Sequence, residues 1–377
     1  MLSLTAVLLV TAAAGEGGAI KIGTHLPLSG YAAPIGQALN RGLHLAADEI
    51  NATGGVLGRK VALIDGDDEG KPEKGAQLVR DLIDKEHVVA LLGPHNTVVA
   101  NETTRIANER RIPMIIPGAT GNKVNELFAQ FPQNYVFRIA PSETLQTEMM
   151  ATEAFVARGY TKAALIHDDT PFGKGGRASL EKLMAKQDLK PAYSASFKIG
   201  EANMTPQVTG ARAAGAEVIL FYGLAPDAIN LVRALEKLGW RSPVIGPWNL
   251  CNPVFLTKAG SFADGTLMPQ TFIEERATEP EQLKFIGAYR KRYSSPHVEM
   301  APAVAQAYDA VQLLAIAIRQ AGTTDGPKVK AALEALKGTY QGVTGSYFLP
   351  WRPDDHEAIT RGAVVWGTVK SGKVVPY

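Results

Sequence analysis

From Ile20 onward the chain alternates short β-branched runs with stretches whose apolar residues recur every three or four positions. The runs at 20–23, 61–65, 88–92, 114–116, 135–139, 163–167, 192–197, 218–222 and 244–246 predict strands, because β-branched and aromatic side chains suit a pleated surface. In residues 35–51, Leu39, Leu43, Ala46 and Ile50 form one helical stripe, and Gly54-Gly55 ends it. Similar stripes predict helices over 74–85, 142–158, 173–187, 206–214 and 227–239, with Ser142 as an N-cap. Strand, helix, strand in this order gives right-handed crossovers and parallel sheets.

One sheet holding every strand would be unusually wide, and the rhythm restarts near Ala163. Two α/β lobes are therefore expected. The tail changes character: helices over 279–293, 300–320 and about 327–336, then strand-like segments around 346–349 and 362–369. Helices followed by strands imply that the chain returns to complete both lobes.

At 377 residues the chain predicts two to three domains at about 150 residues each. Its 39 basic and 37 acidic side chains leave a net charge of +2. No basic run is present to hold nucleic acid or an anionic membrane. The single cysteine, Cys251, excludes an intramolecular disulfide, a four-thiolate zinc site and an iron–sulfur cluster. Residues 2–14 form an apolar run of signal-peptide length, followed by small residues, although no positive charge precedes it. Residues 1–18 are therefore expected to be a signal peptide on a soluble, periplasmic protein; either its true start lies further upstream or the run is not a signal. No later stretch is expected to cross a membrane.

The acidic run Asp65-Gly-Asp67-Asp68-Glu69-Gly70 begins like a calcium loop, but the twelfth position is Ala76 instead of glutamate. A strand-end turn is the better reading. Gly173-Lys-Gly175-Gly-Arg-Ala178 fits a dinucleotide fingerprint, yet five residues separate it from the strand and no acid ends the next one. His167-Asp168 could pair a base with an orienting acid, but no positioned nucleophile accompanies it. No metal, cofactor or catalytic set is expected.

What remains is small polar residues at strand C-termini, where open α/β sheets bind ligands. Gly93-Pro94-His95-Asn96-Thr97 follows one strand and Pro117-Gly118-Ala119-Thr120-Gly121 the next. Free amides and hydroxyls in such loops suit a carboxylate.

At these residues the sequence resembles the substrate-binding proteins of ABC importers of the branched-chain amino-acid type, which are type I periplasmic binding proteins. The opening Ile20-Lys-Ile-Gly-Thr-His-Leu-Pro-Leu-Ser29-Gly30 carries the likeness, as do Asp48-Glu-Ile-Asn51 and Gly54-Gly55-Val-Leu-Gly58. Gly93-Pro94, Pro117-Gly118-Ala119-Thr120, His167-Asp168, Phe172-Gly173, Gly246-Pro247, Asp264-Gly265 and Ala307-Tyr308-Asp309-Ala310 follow in order. The resemblance implies two Rossmann-like lobes joined by a three-strand hinge, with the ligand cleft between them. Residues 19–142 with 273–362 would form one lobe, and 143–272 with 363–377 the other. It also implies permease subunits as partners, a monomeric carrier and no cofactor.

Carried over residue by residue, the resemblance places Thr97 at the ligand carboxylate and Gly118 and Thr120 at its head group. Phe172 would lie over the ligand from the second lobe. The family's amino-acid binders have an acid after the Gly-Pro near the end of lobe two; here that position is Trp248. A buried ammonium without its anion costs several kcal/mol, so an aromatic carboxylic or 2-oxo acid is favoured over an amino acid. Asn96, Ala119 and Leu224 complete the expected site, with Tyr31 and Tyr222 as rims. Three alternatives stay open: an apolar amino acid whose ammonium meets the Trp248 face, an exported sensory binder, and an enzyme using His167 and Asp168.

Overall fold

A computed structural model describes residues 18–126 and 133–377; the apolar run at 2–14 lies outside the described residues. The first sheet contains β1 (Ile20–Thr24), β2 (Val61–Ile64), β3 (Ala90–Leu92), β4 (Met114–Ile116) and β5 (Val136–Arg138). They are parallel, in the order β2-β1-β3-β4-β5. The second contains β6 (Ala163–Asp168), β7 (Tyr193–Phe197), β8 (Val218–Tyr222), β9 (Val244–Ile245) and β10 (Leu267–Gln270). Its parallel part repeats the same winding, β7-β6-β8-β9-β10. After a separate hairpin, β11 (Thr339–Gln341) with β12 (Ser346–Phe348), the chain returns and adds β13 (Val365–Lys370) and β14 (Lys373–Pro376) antiparallel at β10. The result is the expected pair of α/β lobes.

Helices α1 (Ala33–Ala52), α2 (Pro72–Asp84), α3 (Thr97–Arg110) and the short α4 (Lys123–Glu126) belong to the first sheet's half of the chain. Helices α5 (Glu143–Ala151), α6 (Pro171–Ala185), α7 (Thr205–Ala213), α8 (Ala225–Lys237) and α9 (Pro253–Lys258) accompany the second. Ser142 caps α5 as expected, its hydroxyl accepting from Leu145 N–H at 3.2 Å, and a π-helical segment, Thr152–Ala157, continues it. The chain then supplies α10 (Pro280–Tyr293), α11 (Ala301–Ala321) and α12 (Gly326–Leu333). By length and composition α11 could cross a membrane, contrary to expectation, but 83% of its apolar window is buried. It is a core helix, packed on α1.

The sequence pattern did not announce α3, α4, α9, β10, β11 or β14. α3 is rich in β-branched and amide side chains (TVVANETTRIANER) and shows no clear apolar stripe. β10 contains Pro269, which cannot donate to a ladder and argues against a central strand.

Three segments join the lobes: the chain after β5, the chain after β10 and the chain before β13. The first and third are bonded together. Arg138 N–H donates to the His356 carbonyl and Ala358 N–H to the Arg138 carbonyl, both at 2.9 Å. The buried Arg138 guanidinium also forms a two-point ion pair with Glu357, at 2.8 and 2.7 Å. A fork-to-fork pair of this kind fixes direction as well as distance, so the first and third connections are held to each other.

Candidate functional site

A cavity of about 70 Å³ lies between the lobes. Its walls are the loops at the C-terminal ends of strands from both sheets, the crevice where open α/β sheets take ligands. His95, Asn96 and Thr97 follow β3, and Gly118 and Thr120 follow β4. From the other lobe come Asp168 at the end of β6, Thr170 and Phe172 after it, Ile199 after β7, Leu224 after β8, and Trp248 and Asn249 after β9. The volume is below the roughly 150 Å³ of an apolar cavity that admits benzene. An organic solute therefore enters only when the lobes part further than they do here.

Seven of the ten expected residues line this cavity: Asn96, Thr97, Gly118, Thr120, Phe172, Leu224 and Trp248. Three do not. Ala119 is fully buried in the core beneath the β4 loop. Tyr222 is buried under Phe172, ring centroids 4.6 Å apart, and forms the floor instead of a rim. Tyr31 stands outside, its hydroxyl donating to Asp227 at 2.7 Å. As the last residue of β8, Tyr222 points to one face only, and the sequence does not say which.

Lobe one presents hydrogen-bond donors. Thr97 opens α3, and the amides of Thr97 and Val98, in its first turn, have no partner among the described residues. The Thr97 hydroxyl accepts from Gly121 N–H at 3.3 Å, which aims its own proton elsewhere. Gly93 reaches φ +129°, and a Cβ there would lie 2.2 Å from the His25 carbonyl. Only glycine lets the loop pass so close. Among the described residues no Lys or Arg lines the cavity, and burial lowers the His95 pKa to about 4, so its ring is neutral.

Lobe two presents apolar walls and one acid. Asp168 Oδ1 accepts from Thr170 N–H at 2.9 Å, from the Thr170 hydroxyl, and from Gly173 N–H at 3.1 Å. Thr170 in turn caps α6 by accepting from Phe172 N–H at 3.2 Å, which sets the Phe172 ring over the cavity. The glycines of the apparent dinucleotide fingerprint serve packing: a Cβ on Gly173 would meet the Asp168 carbonyl at 2.3 Å, and one on Gly175 the Glu143 carboxylate at 2.4 Å. His167 bonds through Nδ1 to the Asp168 backbone oxygen at 2.7 Å and not to its carboxylate, so the two are not arranged as base and orienting acid. The acidic run after β2 is a turn, as expected: Asp67 accepts from Leu28, Ser29 and Glu69 amides at 2.9, 3.2 and 2.9 Å.

Five lining residues hold a buried side-chain atom with no hydrogen-bond partner among the described residues: His95 Nδ1, Asn96 Oδ1, Thr120 Oγ1, Asp168 Oδ2 and Asn249 Oδ1. Each such atom costs about 1–3 kcal/mol. Five converging on one cavity mark a site shaped for a polar ligand. Sequence reasoning missed Gly70, His95, Val98, Thr170, Ile199 and Asn249 as lining residues, and met Asp168 only as a candidate base. Position at or beyond a strand's C-terminus was the signal available for them.

The sequence profile of the periplasmic binding proteins matches residues 19–373. The chain belongs to that family. Among relatives, Leu/Ile/Val-binding protein homolog 3 of Brucella melitensis is 29% identical over 306 residues, 81% of this chain and 80% of that one. Among solved structures, a type 1 periplasmic binding protein from Bordetella pertussis is 26% identical. It superposes with a TM-score of 0.85, covering 95% of this chain and all of its own. A solute-binding protein of an ABC transporter from R. palustris, solved in complex with benzoate, is 22% identical with a TM-score of 0.81, covering 95% of each chain. In this family setting the two loops that carry Thr97 and Thr120 and the two that carry Phe172 and Trp248 face one another across the cleft.

Proposed function

We propose that this periplasmic binding protein is the exported solute-binding subunit of an ABC importer, taking a small carboxylate with an aromatic body. Lobe closure would then present the solute to membrane permease subunits. The lobes would be residues 19–142 with 273–362 and residues 143–272 with 363–377, working as a monomer. One observation carries the solute class: neutral donors on lobe one face aromatic and aliphatic walls on lobe two, with no cation between them. An anion is then held by amides and hydroxyls at a helix start, while Phe172, Leu224 and Trp248 cover the body. Trp248 supports an acid further, because its indole offers only a donor and that N–H has no partner among the described residues. The benzoate complex of the R. palustris relative shows that this fold accommodates an aromatic acid.

A second reading rests on Asp168. The premise that no acid awaits an ammonium holds at position 248, yet Asp168 reaches the same cavity with Oδ2 unpartnered. An apolar amino acid could place its ammonium there, in keeping with the name of the Brucella relative. A thermal-shift panel decides between them. Stabilisation by benzoate-like acids is expected; stabilisation by leucine, isoleucine or valine alone would sink the aromatic reading.

A further inference from the structure

Tyr31, expected at the cavity rim, makes its one described hydrogen bond elsewhere. It precedes α1 in lobe one, and its hydroxyl donates at 2.7 Å to Asp227 Oδ1, in the first turn of α8 in lobe two, 196 residues away. The same oxygen accepts from Gly200 N–H at 2.9 Å. Asp227 is fully buried, and its other oxygen has no partner among the described residues. Burial also raises its pKa to about 6.

The placement explains what this contact holds. Gly200 adjoins Ile199, and Asp227 lies one helical turn beyond Leu224; both Ile199 and Leu224 wall the cavity. One carboxylate therefore ties the β7 and β8 loops to each other, and Tyr31 fastens lobe one over them. Neither Tyr31 nor Asp227 lines the cavity. Hinge opening parts the lobes as bodies, so it breaks the Tyr31 bond and leaves the Gly200 bond intact.

We infer that Tyr31 and Asp227 form a closure latch, a positioning pair that sets how long the lobes stay shut without touching the solute. A contact present only in the closed state favours that state alone and shifts the population toward it. This holds whichever solute class the cavity takes.

Single-molecule energy transfer tests the latch, with dyes on Lys85→Cys and Lys186→Cys, exposed positions on opposite lobes. Cys251 is buried and stays unlabelled. The protein would be measured as purified, with benzoate, and with leucine. Tyr31→Phe and Asp227→Ala should each shorten the closed dwell about tenfold, by the same factor in all three conditions, and the double variant should go no further than Asp227→Ala. An unchanged dwell in Tyr31→Phe would overturn the latch, as would effects that multiply or a wild-type chain with no closed state. So would a Tyr31→Phe effect confined to one solute, which would return Tyr31 to the solute itself. Failure of both solutes to bind would overturn the aromatic and amino-acid readings and leave the latch measurable on the protein as purified.

Discussion

The indole of Trp248 meets the imidazole of His95 edge-on across the cleft, ring centroids 6.3 Å apart and planes at 73°. His95 follows β3 in one lobe and Trp248 follows β9 in the other, so the two rings touch only because the lobes are together. Edge-to-face contact of this kind adds about 0.5–1.5 kcal/mol beyond buried area. Trp248 is thus placed to act both as a wall for the solute and as part of the closed interface.

Replacing that wall by an acid should change what the cavity accepts. In Trp248→Glu a carboxylate stands beside Asp168, so an ammonium gains an anion while an aromatic acid gains a like charge. The variant is expected to be stabilised by leucine and no longer by benzoate in a thermal-shift panel. An unchanged preference would mean that position 248 does not set the solute class.

The hydroxyls proposed to hold the carboxylate can be tested singly. A hydrogen bond to a charged group contributes about 1.5–3 kcal/mol, so Thr97→Ala and Thr120→Ala should each weaken binding by about ten- to a hundredfold in calorimetry. Thr→Ser at either site keeps the hydroxyl and should restore most of it. Full affinity in both alanine variants would place the carboxylate elsewhere.

Much of this arrangement was legible in the chain, and the exceptions have physical causes. The loops after β3 and β4 announced themselves, because a ligand crevice must lie at strand C-termini and small polar residues gather there. Nine strands were readable as β-branched runs. β10 was hidden by Pro269, which sits in a sheet interior where prolines are rare, and α3 by its polar composition. Tyr31 and Tyr222 were expected as rims of the cleft, but side-chain direction depends on tertiary packing: Tyr31 crosses to Asp227 and Tyr222 lies beneath Phe172. Asp168 was visible as an acid at a strand end, yet its reach into the cavity follows from the start of α6.

The floor of the cavity is sensitive to a single methyl group. A Cβ on Gly176 would lie 2.3 Å from the buried Tyr222 ring, which carries Phe172 above it. Overpacking of this kind costs about 1–3 kcal/mol, set against the ~1 kcal/mol by which alanine is the better helix former. Gly176→Ala is expected to lower the melting temperature and to weaken solute binding together, as Tyr222 displaces Phe172. Unchanged values of both would show that α6 yields without disturbing the floor.

His95 should leave a signature in the pH dependence of stability. Burial lowers its pKa from 6.5 to about 4, so between those values the unfolded chain carries a proton that the folded chain does not. Stability is therefore lost as pH falls through this window, at about 1.4 kcal/mol per pH unit at most. Asp68, Asp227 and Asp309, each raised by burial to about 6, act in the opposite sense. They take up protons in the folded state first, so a fall in pH below 6 favours folding until the unfolded carboxylates titrate as well. The raw stability curve mixes the two effects, and the informative quantity is the difference between wild type and His95→Gln. Chemical unfolding between pH 7 and 4 should show that difference shifting against the wild type as pH falls; a flat difference would mean that the His95 ring takes up its proton in the folded cleft as readily as in water.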